Sequence, residues 1–401
     1  MTDAVIVATA RTPIGRAGKG SLKDMRPDDL SARAIEAVLD KVPGLDRTEI
    51  EDVLWGCGQP AVEAGHNVGR VAAVLAGLDN VPGVTVNRYC SSSLMTIRMA
   101  EHAIKAGDGE VFIAGGVEAI SRNQLHLQLA DGPKNPIFEG AELRSLERSA
   151  GGAAVWSAPE GLPDIYLAMG QTAENVAQFK NVSREDQDEF AVRSQNLAEE
   201  SLNNGFWAAE LTPIETPDGL VSQDDGIRAG TTIEKVSGLG PAFRPDGTVT
   251  AANACPLNDG AAAVVVMSAE KAKALGLTPL ARIVSSAATG LNPEIMGMGP
   301  VEAVRKALGR AGMGIDDIDL FEINEAFAAQ VLPSARDLGI PMEKLNTRGG
   351  SIALGHPFGM TGARIMTTLI HNLQESDKTF GVETMCVGGG QGMAMVVERL
   401  S

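Results

Sequence analysis

Basic residues are scarce in this chain: 34 lysines and arginines stand against 51 aspartates and glutamates, a formal net charge of −17. No long basic run occurs. Binding to a phosphodiester backbone rests on clustered Lys and Arg, so DNA and RNA are not expected as partners. Cysteine is sparse too. Cys57, Cys90, Cys255 and Cys386 lie far apart without CxxC spacing, which speaks against a zinc site and a disulfide framework and points to a reducing, cytoplasmic setting. The five histidines likewise lack ligand spacing, and no metal is expected. Apolar runs are short. Nothing approaches the roughly 18 uninterrupted apolar residues of a membrane span, and no basic segment precedes the first apolar run, so neither a span nor a secretory leader is expected.

What the chain does have is length and glycine. Its 401 residues exceed the roughly 250–300 at which a single core stops growing, so at least two packed units are expected. Short apolar runs at Val5–Ala10, Val53–Cys57, Val84–Tyr89 and Val111–Ala114 alternate with helix-length amphipathic stretches, the rhythm of a parallel-sheet α/β domain. It returns near the end at Ala281–Ala288, Leu320–Ile323, Gly381–Val387 and Met393–Glu398. The two ends also align. Ala34–Cys57 and Ala303–Ala326 each read helix, turn, strand, and Cys90 before a Ser92–Ala106 helix matches Gly355-His356-Pro357 before a helix from about Gly362 to Leu373. This predicts two fused, duplicated halves. Between them, Ser121–Thr248 is richer in Gly, Pro, Asp and Asn and reads as an inserted excursion, with helical patterning at Thr172–Asn203 and turns at Pro213, Pro217, Gly219 and Asp224-Asp225-Gly226.

Four places carry reactive chemistry. Cys90 ends a β-type run and precedes Ser91-Ser92-Ser93, good capping residues, so its thiol should sit at a helix N-terminus, where unpaired N–H groups favour thiolate. Alone, such a cysteine is more often a buried structural residue. His356, framed by Gly355 and Pro357 before a helix, should hold its imidazole in a fixed pose, and a near-neutral pKa would suit it as a base for a thiol. Cys386 precedes Val387-Gly-Gly-Gly-Gln-Gly392, a run able to form an anion-binding nest beside a second thiol or to be a plain strand-end turn. Asn324 and Glu325 end a strand where polar groups often face the ligand crevice, or where Asn caps a helix.

Together these segments resemble the thiolase family over almost the whole chain: Asn87-Arg-Tyr-Cys-Ser-Ser92, Asn324-Glu-Ala-Phe-Ala328, Gly349-Gly-Ser-Ile-Ala-Leu-Gly-His-Pro357 and Cys386-Val-Gly-Gly-Gly390, in the family's order. Ala10-Arg-Thr-Pro-Ile-Gly15, Met169-Gly-Gln-Thr-Ala-Glu-Asn175, Leu257-Asn-Asp-Gly260 and Met296-Gly-Met-Gly-Pro300 add to it. The resemblance implies the α/β, duplicated thiolase fold: two βαβαβαββ halves in a five-layer α-β-α-β-α sandwich with an inserted loop domain. Residues 1–120 would form the first half, completed by 249–275, residues 121–248 the CoA-binding insert, and 276–401 the second half. A homodimer or homotetramer is implied, with the strand leading into Cys90 near the dimer contact.

By the same resemblance, Cys90 would carry the acyl group, His356 activate it, and Cys386 serve as acid and base. Asn324 would hold a water that, with His356, serves the thioester oxygen, while the N–H groups of Cys90 and Gly388 serve the keto oxygen. Coenzyme A would be a co-substrate, with no permanently bound cofactor, and would touch Met169, Arg228, Lys235, Cys255, Ala326 and Phe327. The implied reaction is cleavage of 3-ketoacyl-CoA in fatty-acid or steroid side-chain β-oxidation. Ala168, where acetoacetyl-CoA-forming enzymes of the family carry His, favours this degradative role over the biosynthetic one. A non-catalytic acyl-CoA or lipid-binding protein is the alternative of another class. Three positions depart from the family pattern: Ser93 in place of Gly, Cys255-Pro256 in place of Ser-Gly, and Arg348 where a small residue is usual.

Overall fold

The computed structural model describes residues 2–123 and 134–401; the 124–133 stretch of the expected insertion lies outside the described residues. The chain begins with β1 (Ala4–Arg11), β2 (Gly15–Arg16), α1 (Pro27–Leu39), β3 (Asp52–Gly56), α2 (Val68–Leu75), β4 (Gly83–Val86), α3 (Ser92–Ala106) and β5 (Val111–Ala119). An excursion follows: α4 (Ile120–Asn123), α5 (Glu139–Ser149), α6 (Met169–Lys180), α7 (Arg184–Asn203), α8 (Phe206–Glu210), the hairpin β6 (Ile214–Thr216) and β7 (Gly219–Val221), and α9 (Ile233–Ser237). The chain returns through β8 (Asn258–Ser268) and α10 (Ala269–Ala274). It ends with β9 (Ala281–Gly290), α11 (Gly299–Ala311), β10 (Leu320–Ile323), α12 (Ala328–Leu338), α13 (Ser351–Leu354), α14 (Thr361–Glu375), β11 (Phe380–Val387) and β12 (Gln391–Arg399).

Strand order is β4-β3-β5-β8-β1 in the first half and β10-β11-β12-β9 in the second, joined where β1 pairs briefly with β9 at Val5 and Ile6. The duplication is explicit in the pairing. β3–β5 and β10–β11 run parallel, while β5–β8, β8–β1, β11–β12 and β12–β9 run antiparallel. Even β4, which runs parallel to β3, has a remnant in the second half: a single parallel bridge from Phe321 to Leu345. The expectation of a parallel sheet is thus corrected to a mixed one, because β8 and β12 run back between their neighbours. The sequence reading also missed β8, whose opening Asn-Asp-Gly-Ala-Ala-Ala lacks the β-branched residues that mark strands, although the strand is buried throughout. β4 stops at Val86, short of the expected Tyr89, because the next residues form a turn.

Burial on both faces explains why the central strands β5 and β8 are largely apolar. Alternate residues of β5 serve different cores: Val111 and Ile113 pack with Val38, Trp55 and Ala72 under α1 and α2, while Phe112 and Ala114 pack with Leu94, Ile97 and Met366 of α3 and α14. On the far side Val304, Leu308 and Val331 of α11 and α12 cover Phe321, Val382 and Val396. The layers are therefore helix, sheet, helix, sheet, helix, with α3 and α14 in the middle. Each such aliphatic side chain, fully buried, contributes about 1.5–3 kcal/mol. No helix among the described residues is long and apolar enough to cross a membrane.

The excursion is fastened to this frame through Arg11 on β1, whose Nε donates to Glu210 at 2.9 Å and whose Nη1 and Nη2 donate to Asp224 at 2.9 and 3.0 Å. Asp225 beside it accepts the N–H groups of Arg16 and Ser21. In the middle layer α3 and α14 approach so closely that a Cβ on Gly362 would lie 2.3 Å from Leu94 N, and Ser93 Oγ accepts the N–H of Ala363 at 2.9 Å. Gly362→Ala should therefore lower stability by about 1–3 kcal/mol, the usual cost of overpacking. The midpoint of urea unfolding measures this, and an unchanged midpoint would contradict so tight a crossing.

Candidate active site

Cys90 is presented by a strained corner between β4 and α3. Tyr89 adopts the left-handed region with φ 44°, a conformation that costs a non-glycine residue about 1–3 kcal/mol unless its surroundings enforce it. They do. Tyr89 N donates to Asn87 Oδ1 at 2.8 Å, Ser92 Oγ accepts from Arg88 N at 2.9 Å and donates to Tyr89 O at 2.6 Å, and Arg88 Nη1 reaches Gln391 Oε1 at 2.7 Å. The three serines are thus not caps of α3, as their positions suggested. Ser91 and Ser92 stitch the corner, and Ser93 serves α14. The thiolate expectation is corrected as well. Burial pushes the Cys90 thiol up to about 11, outweighing the N–H groups of Gly388 and of Cys90 itself, which point at the sulfur and stabilise its charge.

His356 occupies the equivalent place in the second half, on the turn before α14. Burial, helped by the Arg364 cation, lowers it to about 3, so the expected near-neutral base is instead an imidazole held neutral. Its main-chain N–H donates to Asn258 Oδ1 at 2.9 Å, and its ring meets Phe358 edge-on at 5.0 Å. Its Nε2 lies 3.3 Å from Asn324 Nδ2 and its Nδ1 2.7 Å from Thr361 Oγ1. An amide nitrogen can only donate, so Nε2 is the acceptor and Nδ1 carries the proton. Thr361 then receives that proton's hydrogen bond and passes its own to Pro357 O at 2.8 Å. The corners bearing the two residues abut at Gly58, which packs between Phe358 and the carbonyl of Tyr89.

Cys386 is the next-to-last residue of β11, fully buried, before a turn in which Gly389 and Gly390 both take positive φ. Burial raises its pKa well above the usual thiol value, with the neighbouring Cys90 and Cys255 adding to it; Cys255 is raised too, by burial and by Cys90. Met169, Cys255, Ala326 and Phe327 pack around Cys386 in one small apolar cluster with Ala254. Arg228 and Lys235 lie apart from that cluster. They line a cleft of about 290 Å³ with Arg16, Gly226, Ala254 and Pro256. The six residues expected to touch CoA therefore form an apolar inner group and a cationic outer one, bridged by the Ala254–Pro256 segment.

Asn324 faces His356, but Glu325 turns away, accepting Ser194 Oγ, Asn346 Nδ2 and Ile352 N, and so braces the strand end instead of lining the crevice. Arg348 also points away from the histidine loop: it stacks over Phe206 at 4.6 Å and donates to Asn372. Cys255 N donates to Ala326 O at 3.1 Å, which keeps the Cys255-Pro256 segment against the inner group. The sequence reading missed Thr361, Asn258, Ser351, Arg364, Arg16 and Glu118. Glu118 accepts the N–H groups of Gly58, Gln59 and Gly359 and ties the two halves together beside the site; burial raises it to about 7 against those donors. Asn258 and Ser351 stood inside family-like motifs, but nothing local marked their partners.

Twin α/β halves here present a cysteine and an oriented neutral histidine ahead of equivalent helices, with a second buried cysteine near the first, and the class of protein to which the chain belongs is that of the acyltransferases. Residues 4–270 match the family Thiolase, N-terminal domain, and residues 277–399 match Thiolase, C-terminal domain. The 3-ketoacyl-CoA thiolase of Aeromonas hydrophila is 46% identical over 100% of both chains, and that of Bacillus subtilis 45% identical over 99% of this chain and 100% of its own. The crystal structure of the Bacillus anthracis acetyl-CoA acetyltransferase superposes with a TM-score of 0.85 at 39% identity, covering 100% of this chain and 99% of that one. The chain belongs to the thiolase family. With Cys90 resting as a thiol, its alkylation by iodoacetamide should still be climbing about tenfold per pH unit near pH 9. Peptide mapping by mass spectrometry reads this rate, and a plateau below about pH 8 would mean that the thiolate is already formed.

Proposed function

We propose that this protein is a degradative thiolase, cleaving 3-ketoacyl-CoA to acetyl-CoA and a shortened acyl-CoA. The observation that carries the reading is the meeting of the Cys90 and His356 corners at Gly58, with the Gly388 N–H aimed at the Cys90 sulfur. His356 Nε2 takes the Cys90 proton as the sulfur attacks the 3-keto carbon. The bond between the α and β carbons breaks, leaving the acyl group on Cys90 and an acetyl-CoA enolate that Cys386 protonates. Cys386, now a thiolate, takes the proton of incoming CoA, whose sulfur attacks the Cys90 thioester and releases the shortened acyl-CoA, while the departing Cys90 sulfur recovers its proton from His356. Proton transfer also changes what His356 offers. Nε2 becomes a donor beside Asn324 Nδ2, and the two, with the water Asn324 would hold, serve the thioester oxygen; the N–H groups of Cys90 and Gly388 serve the keto oxygen.

CoA is the co-substrate, its thiol end among Met169, Cys255, Ala326 and Phe327 and its phosphates toward Arg228 and Lys235 in the 121–248 insert. The three cations of that cleft support this in a chain of net charge −17. Ala168 supports the degradative role, since it borders an open cavity of about 1000 Å³ with Leu143, Leu146, Tyr166 and Leu167. The role in β-oxidation of fatty or steroid acyl chains follows from that reading, as does a cytoplasmic location, which the four free cysteines favour. The edge strand β4 and the exposed Val62, Val74, Leu75, Val84 and Tyr89 support a homodimer, alone or paired into a homotetramer.

Thiolysis of 3-ketoacyl-CoA thioesters of increasing length, followed by loss of the ketoacyl absorbance, tests the reading. Turnover should extend well beyond acetoacetyl-CoA and fall to background in Cys90→Ala. Cleavage confined to acetoacetyl-CoA would favour the biosynthetic role, and failure to trap an acyl group on Cys90 would favour a binding protein. Arg228→Ala and Lys235→Ala should each raise KM for CoA by about tenfold, the worth of one charge-assisted hydrogen bond, with kcat nearly unchanged in the same assay.

A further inference from the structure

Behind Asn324 lies a polar chain that the reaction above does not use. Arg364, near the start of α14, is 1% exposed, and its Nη2 donates to Ser351 Oγ at 2.8 Å. Its Nε and Nη1 are buried without a hydrogen-bond partner among the described residues, so the contact with Ser351 is its one directed bond there. A hydroxyl that accepts from arginine has its single proton left to give, and Ser351 gives it to Asn324 Oδ1 at 2.6 Å. With Oδ1 engaged, the amide must turn Nδ2 toward His356 Nε2. A flipped amide would set oxygen against the imidazole lone pair, losing the bond to His356, and would forfeit the proton Ser351 gives to Oδ1.

We propose that Arg364 and Ser351 are positioning residues for the thiolase reaction, holding the Asn324 amide in the orientation that keeps His356 Nε2 unprotonated at rest and donor-flanked after proton transfer. The inference rests on the proposed roles of Cys90 and His356. The Arg364 cation, with burial, also holds His356 neutral. Arg364 itself faces Glu322 of β10, Glu383 of β11, Glu210 of α8 and Arg11 of β1. Burial raises Glu322 to about 8 and Glu383 well above its usual value, so near neutral pH these two carboxyls leave most of the guanidinium charge uncancelled toward Asn324.

The test is steady-state thiolysis across pH by the full-length wild type, Ser351→Ala, Ser351→Thr and Arg364→Gln, with melting temperatures recorded alongside. In Ser351→Ala kcat should fall on the order of tenfold to a hundredfold, as misorientation of a catalytic group costs, while KM for CoA stays put. Ser351→Thr, which keeps the hydroxyl, should recover most of the loss. Arg364→Gln should move the acid limb of kcat/KM to higher pH, since removing the cation lets His356 protonate sooner. Should Arg364→Gln fail to fold, the serine pair decides. Wild-type kcat and pH profile in Ser351→Ala would overturn the inference, and so would a loss that Ser351→Thr does not repair. A wild type without turnover would instead refute the thiolase reading itself.

Discussion

The closeness of α3 and α14 in the middle layer is the constraint on which the rest of this molecule depends. Gly362 has no room for a side chain against Leu94, and Ser93 Oγ accepts the N–H of Ala363 in the first turn of the opposing helix. α3 starts just past the end of β4 and α14 just past α13, so their approach sets the two turns ahead of these helices against one another. Those turns carry Cys90 and His356. Duplication alone would have produced two similar domains; the absence of space between the central helices turns them into two walls of one site. Ser93 acts in that contact, its Oγ holding the start of α14.

Dryness is the second shared property of the site, and it sets the resting charges. Cys90, His356 and Cys386 are all buried, and burial favours the neutral form of each: both thiols are pushed up and the imidazole down. A helix start and nearby N–H groups pull the Cys90 sulfur toward its anion but do not overcome the loss of water. The site therefore rests without charge.

The excursion between the halves is held by buried charge in addition to apolar contacts such as those of Phe206, Trp207 and Phe190. Arg11 reaches across from β1 to Glu210 and Asp224, and a buried pair of this kind is costly to break because it leaves the partner charge stranded. Anchoring there places Arg16, Arg228 and Lys235 around one cleft. An acidic protein can in this way meet an anionic ligand with local cations.

Much of this was legible in the chain itself. The doubled strand rhythm, the Cys90 and His356 positions ahead of matching helices and the glycine run after Cys386 are local patterns, and local patterns survive in a linear reading because strand alternation, helix starts and turns are decided by neighbouring residues. β8 escaped that reading, since its alanines and glycine become a central strand only through burial between β1 and β5. So did the protonation states, which depend on how much water the finished layers exclude, and the bonds from Arg364 through Ser351 to Asn324 and from His356 to Thr361, which join residues brought together from β10, α13 and α14. The sequence by itself determined the reactive groups, the repeat and the family. Only the tertiary structure decided which nitrogen of His356 holds the proton and that Cys90 rests as a thiol, because both follow from the packing of distant segments that shut out solvent and leave each polar atom one partner to choose.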